Sequence, residues 1–141
     1  VTFLYFGGDA GGGYGEYRVI PTDGRPHSKE AEFDITYLGN TVGRWEGDTL
    51  VLDSISFIDT TWLGRGGFFH SDRMHVVERF TRQGDAILYD VTVEDPVVLV
   101  EPYVLPTRTL RRNMNPDAGL LRERGNCEIY EDGAAATQIR H

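Results

Sequence analysis

From residue 86 to 94, apolar and polar side chains alternate almost without exception. Ile87, Tyr89, Val91 and Val93 fall on one side, and Leu88, Asp90, Thr92 and Glu94 on the other. A period of two predicts a strand with one face buried. Residues 74–81 have the same rhythm: His75, Val77, Arg79 and Thr81 share a face, opposed to Val76, Glu78 and Phe80. Between the two runs, Arg82-Gln83-Gly84-Asp85 supplies a hairpin loop. A second hairpin is predicted upstream, from 41–45 and 49–57 around Glu46-Gly47-Asp48, with Gly47 in the turn and Trp45 as a buried anchor. In its return strand Leu50, Leu52, Ser54 and Ser56 share one face, and Val51, Asp53, Ile55 and Phe57 the other.

The flanks are less regular. Residues 2–6 and 16–20 read as strands on either side of a glycine-rich loop, and the second stops at Pro21. Asp95-Pro96 interrupts the alternation, residues 97–104 resume it, and Pro102 and Pro106 mark that strand as an edge or an irregular one. Asn115, Pro116 and Gly125 suit the cap, first turn and stop of a short helix. Eight or nine strands at hairpin spacing, without a βαβ rhythm, predict a single all-β domain over 1–141. The expected form is a small antiparallel barrel or sandwich with at most one or two short helices.

Composition narrows the partners. A net charge of -8 disfavours nucleic acid and anionic membrane surfaces. No apolar run reaches the roughly 18–20 residues of a membrane span. The lone cysteine, Cys127, excludes an internal disulfide and reads as structural. The opening Val1 has no leader before it, which suggests a processed or trimmed product.

Chemistry concentrates at His70, Ser71, Asp72, Arg73, His75, Glu78 and Arg79. On a cavity-facing strand His75 would be a base, Asp72 would orient it, and Arg79 would stabilise developing negative charge. Glu78 completes this candidate catalytic set. The plainer alternative turns His75 and Arg79 to solvent and leaves Val76 and Phe80 to fill the core, with Glu78 at the rim. His27, His70 and Trp62 are candidate ligand contacts, Trp62 by stacking on a planar or sugar ring. His27, His70 and His75, or two of them with Asp72 or Glu78, would suit zinc, copper or iron. His70 and His75 lie an odd number of residues apart, so this requires a bend at 71–73. No other cofactor is expected, because no P-loop, dinucleotide fingerprint or nucleophile elbow is present. The glycine-rich connection 59–67 is expected to cover a barrel mouth.

Three stretches are word-like: Tyr17-Arg18-Val19-Ile20-Pro21-Thr22-Asp23-Gly24-Arg25-Pro26-His27, Gly43-Arg44-Trp45-Glu46-Gly47-Asp48-Thr49-Leu50-Val51, and His70-Ser71-Asp72 followed by His75-Val76-Val77-Glu78-Arg79-Phe80. With Glu94-Asp95-Pro96 they make the chain, from about 17 to 103, resemble an uncharacterised family of exported bacterial proteins. The resemblance implies a periplasmic or extracellular location and no particular reaction. The Gly43-Arg44-Trp45 step is also similar to the tryptophan that plugs one end of a lipocalin-type barrel. Three functions follow as expectations. The first is an exported barrel enzyme, a lyase, isomerase or hydrolase, acting on a small organic or carbohydrate-derived molecule. The second is a lipocalin-like carrier with a closed apolar cavity. The third is an extracellular protein that self-assembles as a homo-oligomer through its strand edges. A His-ligated metalloprotein is a further alternative.

Overall fold

The computed structural model describes residues 1–5, 16–63 and 67–114. The predicted helix at 115–125, Cys127 and His141 lie outside them. The described residues form strands β1 (Thr2–Tyr5), β2 (Glu16–Val19), β3 (Asn40–Glu46), β4 (Thr49–Ile55), β5 (Trp62–Leu63), β6 (Phe68–Phe69), β7 (His75–Gln83), β8 (Ala86–Glu94), β9 (Tyr103–Val104) and β10 (Arg108–Arg111). One 3-10 turn spans Glu30–Glu32. All paired strands run antiparallel, and the fold is all-β.

The main sheet has the order β10-β8-β7-β4-β3, with β9 also paired to β8. It is open: its end strands do not pair with each other, so the described residues form no closed barrel. The two long hairpins turn tightly. Glu46 pairs with Thr49 and Gln83 with Ala86, which leaves two-residue turns at Gly47-Asp48 and Gly84-Asp85. Gly47 and Gly84 take φ of 60° and 59°, a left-handed conformation that other residues adopt at a cost.

Directly paired residues of neighbouring strands point to one side of a sheet, so the register defines two faces. The inner face carries Leu50 and Leu52 beneath Ile20, with Phe3 and Phe80 beside them. It also carries Val91 and Val93 beneath Met74, with Phe57, Leu63, Val76, Tyr89, Leu99 and Leu105 around them. Two separate covers therefore share this face: the β1–β2 hairpin at one end, and the segment around β5 and β9 at the other.

Glu78 also lies on the inner face, near the rim in neither sense: it is 7% exposed. Its Oε2 accepts from Arg18 Nη2 at 2.6 Å, and its Oε1 accepts from the Tyr89 hydroxyl at 2.7 Å. One carboxylate thus ties β2 to β7 and β8. Burial of such a group is tolerable because both oxygens are engaged.

After β2 the chain passes around the β3 edge. Gly43 N–H donates to Pro21 C=O at 2.8 Å, and Gly24 N–H donates to Gly43 C=O at 3.2 Å. A Cβ on Gly43 would stand 3.0 Å from Leu52 Cδ2 and 3.1 Å from Thr22 Cγ2, so a side chain at this crossing would press on both. Past β4, Ser56 takes φ of 62°, and its hydroxyl donates to Ala31 C=O at 2.6 Å, anchoring the 3-10 turn.

Two expectations are corrected. Trp45 is 57% exposed rather than buried. It faces inward at the end of edge strand β3, opposite Leu50, where the cover over Leu50 has ended. Residues 97–104 are not a resumed strand. Asp95 caps a turn there, its Oδ1 accepting from Val97 and Val98 N–H at 3.0 and 3.2 Å, and only Tyr103–Val104 pairs with β8. Aspartate followed by proline suits the start of a helical turn better than a strand.

Candidate functional site

The second face of the main sheet mixes apolar side chains, Val51 buried among them, with polar and charged ones. Val42, Asp53, Val77, Thr92 and Val104 form one transverse row across it. His75 and Glu94 pair directly in the next row, which puts Asp53 diagonal to His75. The chain that crossed the β3 edge brings His27 to this same face, where it meets Asn40 and Asp53.

These residues form one connected group. His27 Nε2 lies 2.9 Å and His75 Nε2 3.1 Å from the same oxygen, Asp53 Oδ1. His27 Nδ1 lies 3.1 Å from Asn40 Oδ1, and His75 Nδ1 lies 3.2 Å from Glu94 Oε2. A carboxylate oxygen only accepts, so each ring bonds Asp53 in the form whose Nε2 carries a proton, and the shared oxygen orients both rings. With one ring proton, His75 donates either to Asp53 or to Glu94. With two, it donates to both carboxylates. The His75 side chain is 32% exposed and that of Glu94 53%, so the Glu94 contact is the most open of the group. A hollow of about 260 Å³ adjoins His27 and Asp53, and one of about 420 Å³ adjoins His75 and Glu94.

The other sequence candidates are distributed as follows. Arg79 shares the His75 face two pleats along, but its guanidinium donates to Glu46 Oε2 at 2.7 Å. Arg79, and then Arg44, hold the Glu46 carboxyl below the usual carboxylate range. Asp72 is exposed in the turn before β7, and the carboxylates in hydrogen-bond reach of His75 are Asp53 and Glu94. Glu78 lies on the opposite, inner face in its ion pair with Arg18. Trp62 is 71% exposed on the short β5–β6 hairpin.

His70 is buried apart from this group. Its Nε2 lies 2.7 Å from Thr61 Oγ1, its Nδ1 donates to Ser71 C=O at 2.9 Å, and its ring meets Phe57 edge-on. Both of its nitrogens are thereby engaged away from His27 and His75. Among the described residues, no three His, Cys, Asp or Glu side chains are grouped to hold a metal ion.

Ser71 and Asp95 make a second polar node. Asp95 Oδ2 accepts from Ser71 N–H at 2.6 Å and its Oδ1 from Ser71 Oγ–H at 2.8 Å. Burial pushes the Asp95 carboxyl up, but the donors of Ser71, Val97 and Val98 outweigh it and hold the group below its ordinary value. This node fixes the start of β7 against the turn after β8, and so fixes His75 relative to Glu94.

Sequence reasoning missed Asp53, Asn40 and Glu94. A signal for Asp53 was present: it is a carboxylate on the strand face that it shares with Val51 and Ile55. No protein-family model, no curated protein and no solved structure matches the chain. No helix among the described residues is long and apolar enough to cross a membrane.

Proposed function

We propose that this chain is an exported protein that binds a small polar organic molecule at the His27–Asp53–His75–Glu94 group. The observation that carries the reading is the convergence of two imidazoles, from a loop and a strand distant in sequence, on a single carboxylate oxygen. Asp53 holds both rings in place, and the exposed Glu94 contact is the one a ligand displaces at least cost. A hydroxyl, carbonyl or carboxylate entering the adjoining hollow then meets His75 Nδ1 directly. Export is supported by the motif resemblance alone. The open sheet favours a surface site over the enclosed apolar cavity of a lipocalin-like carrier.

A second reading, acid–base catalysis, is favoured by the orientation of His75. A carboxylate on one imidazole nitrogen leaves the other free to take or give a proton. Asp53 fills the orienting role expected of Asp72; Arg79 is committed to Glu46, and the cation that lines the same hollow as His75 is Arg73.

The test is a ¹H–¹⁵N spectrum of the imidazoles during titration with monosaccharides, uronic acids and short hydroxy acids. The expected result is that some member shifts His27 and His75 together, leaves His70 in place, and loses its effect in the His75→Gln variant. If no member moves the pair, or His75→Gln responds as the unaltered protein does, the reading fails. Turnover of a bound member, lost in Asp53→Asn, would establish the catalytic version.

A further inference from the structure

The exposed indole of Trp45 does not stand isolated on the surface. It forms one wall of a cleft of about 560 Å³ on the inner face, with Phe3, Leu50, Phe80 and Ile87. Two aromatic rings of the lining are neighbours, Phe3 and Phe80 at 5.2 Å, and Tyr89, outside the lining, backs Phe80 by stacking on it at 4.6 Å. A volume of this size is within the range of small-ligand sites, roughly 300–1,000 Å³. The rim comes from the two hairpin turns and β10's exit, which place Asp48, Arg82, Asp85 and Arg112 around the opening. None of these four charges forms an ion pair among the described residues. The hydrogen bond that the Arg82 side chain makes among the described residues is a long one, from Nε to Gly84 C=O at 3.4 Å.

We infer that this cleft is a second ligand site, separate from the histidine group, and that it takes a neutral sugar ring of a glycan. An exposed indole face packs against the C–H face of a pyranose. Two carboxylates accept from ring hydroxyls, and two guanidinium groups donate to hydroxyl and ring oxygens. The rim charges cancel, and the chain as a whole carries -8, which disfavours an acidic glycan. An apolar planar molecule would leave four charged groups at the rim without partners. Trp62, the aromatic singled out for sugar stacking from the sequence, does not line this cleft.

The test is native electrophoresis through gels containing galactomannan, xyloglucan or mixed-linkage glucan, with polygalacturonate as the anionic comparison. At least one neutral polysaccharide is expected to retard the protein. Trp45→Ala should weaken that retardation at least ten-fold while far-UV circular dichroism stays unchanged, and Arg82→Ala should weaken it too. His75→Gln should leave it intact, which separates this site from the histidine group. In the Trp62→Phe variant, where Trp45 is the sole tryptophan, the same polysaccharide should blue-shift the emission. Three results would each overturn the inference: no retardation by any neutral polysaccharide, retardation by polygalacturonate only, or full retention of binding in Trp45→Ala.

Discussion

Replacement of Glu78 by alanine tests whether the inner face is held by charge as well as by apolar packing. Glu78 is buried at the middle of β7, and its two oxygens take Arg18 from β2 and Tyr89 from β8. The Arg18 and Glu78 side chains are 14% and 9% exposed, so solvent screens the pair little. Removing the carboxylate deprives a buried guanidinium of its counter-charge, a change that costs about 3–5 kcal/mol. A domain of this size has a stability of roughly 5–15 kcal/mol, so the loss is a large share of the total. Glu78→Gln keeps the shape and an acceptor but not the charge, and should cost about 1.5–3 kcal/mol. The triple change Arg18→Met, Glu78→Leu, Tyr89→Phe removes together the two charges and the hydroxyl that meet at Glu78. It should come within about 1–2 kcal/mol of the unaltered protein. Urea unfolding followed by circular dichroism measures all three, with constant slope confirming that only stability changed. Hydrogen exchange should show β2 amides loosening first in Glu78→Ala. A loss below about 1 kcal/mol for Glu78→Ala, or a triple variant less stable than the single one, would refute the argument.

Gly43→Ala should destabilise by about 1–3 kcal/mol in the same assay, because the added methyl meets Leu52 at 3.0 Å and Thr22 at 3.1 Å. Trp45→Ala should cost about 2 kcal/mol or less, against the roughly 3–5 kcal/mol of a core tryptophan, since over half of the side chain is already in water. Asp95 has its folded value depressed, so its contribution is full above the unfolded carboxylate value near 3.9 and is lost as pH falls through the folded one. Stability should therefore drop below about pH 4, and Asp95→Asn should flatten that acid limb while costing about 1.5–3 kcal/mol at neutral pH; an unchanged limb would remove Asp95 from the account.

The long hairpins were legible because their period of two is a backbone property. The residues 86–94 marked from alternation are the observed β8, and the β7 faces fall as the pattern divides them. Covering was less legible. Alternation says that one face is buried but not how far its cover extends, and Trp45 lies beyond that limit. An apolar residue on the inner face of an edge strand can be as wet as one on the outer face. The turn after Glu94 was misread because Val97, Val98, Leu99 and Val100 have strand-like composition, while the capping carboxylate of Asp95 decides the backbone.

The histidine group shows which part of a site a single sequence can carry. His75 and its face follow from local periodicity, so one partner of the group was in view. Asp53 is 22 residues from His75, and His27 is a further 26 residues before Asp53. Their meeting depends on the register of β4 against β7 and on the chain rounding β3 at Gly43. The first depends on a pairing that no local pattern encodes, and the second on the backbone hydrogen bonds that Gly43 gives to Pro21 and accepts from Gly24. The nearest carboxylate in sequence, Asp72, was the natural partner to choose, yet it stands on the turn before the strand and is exposed. In an antiparallel sheet a functional pair is more readily made across strands than along one. Neighbours along a strand alternate faces, whereas the diagonal cross-strand position keeps the face and brings side chains within reach. Asp53 occupies that diagonal position, and the same rule puts Glu94 directly opposite His75.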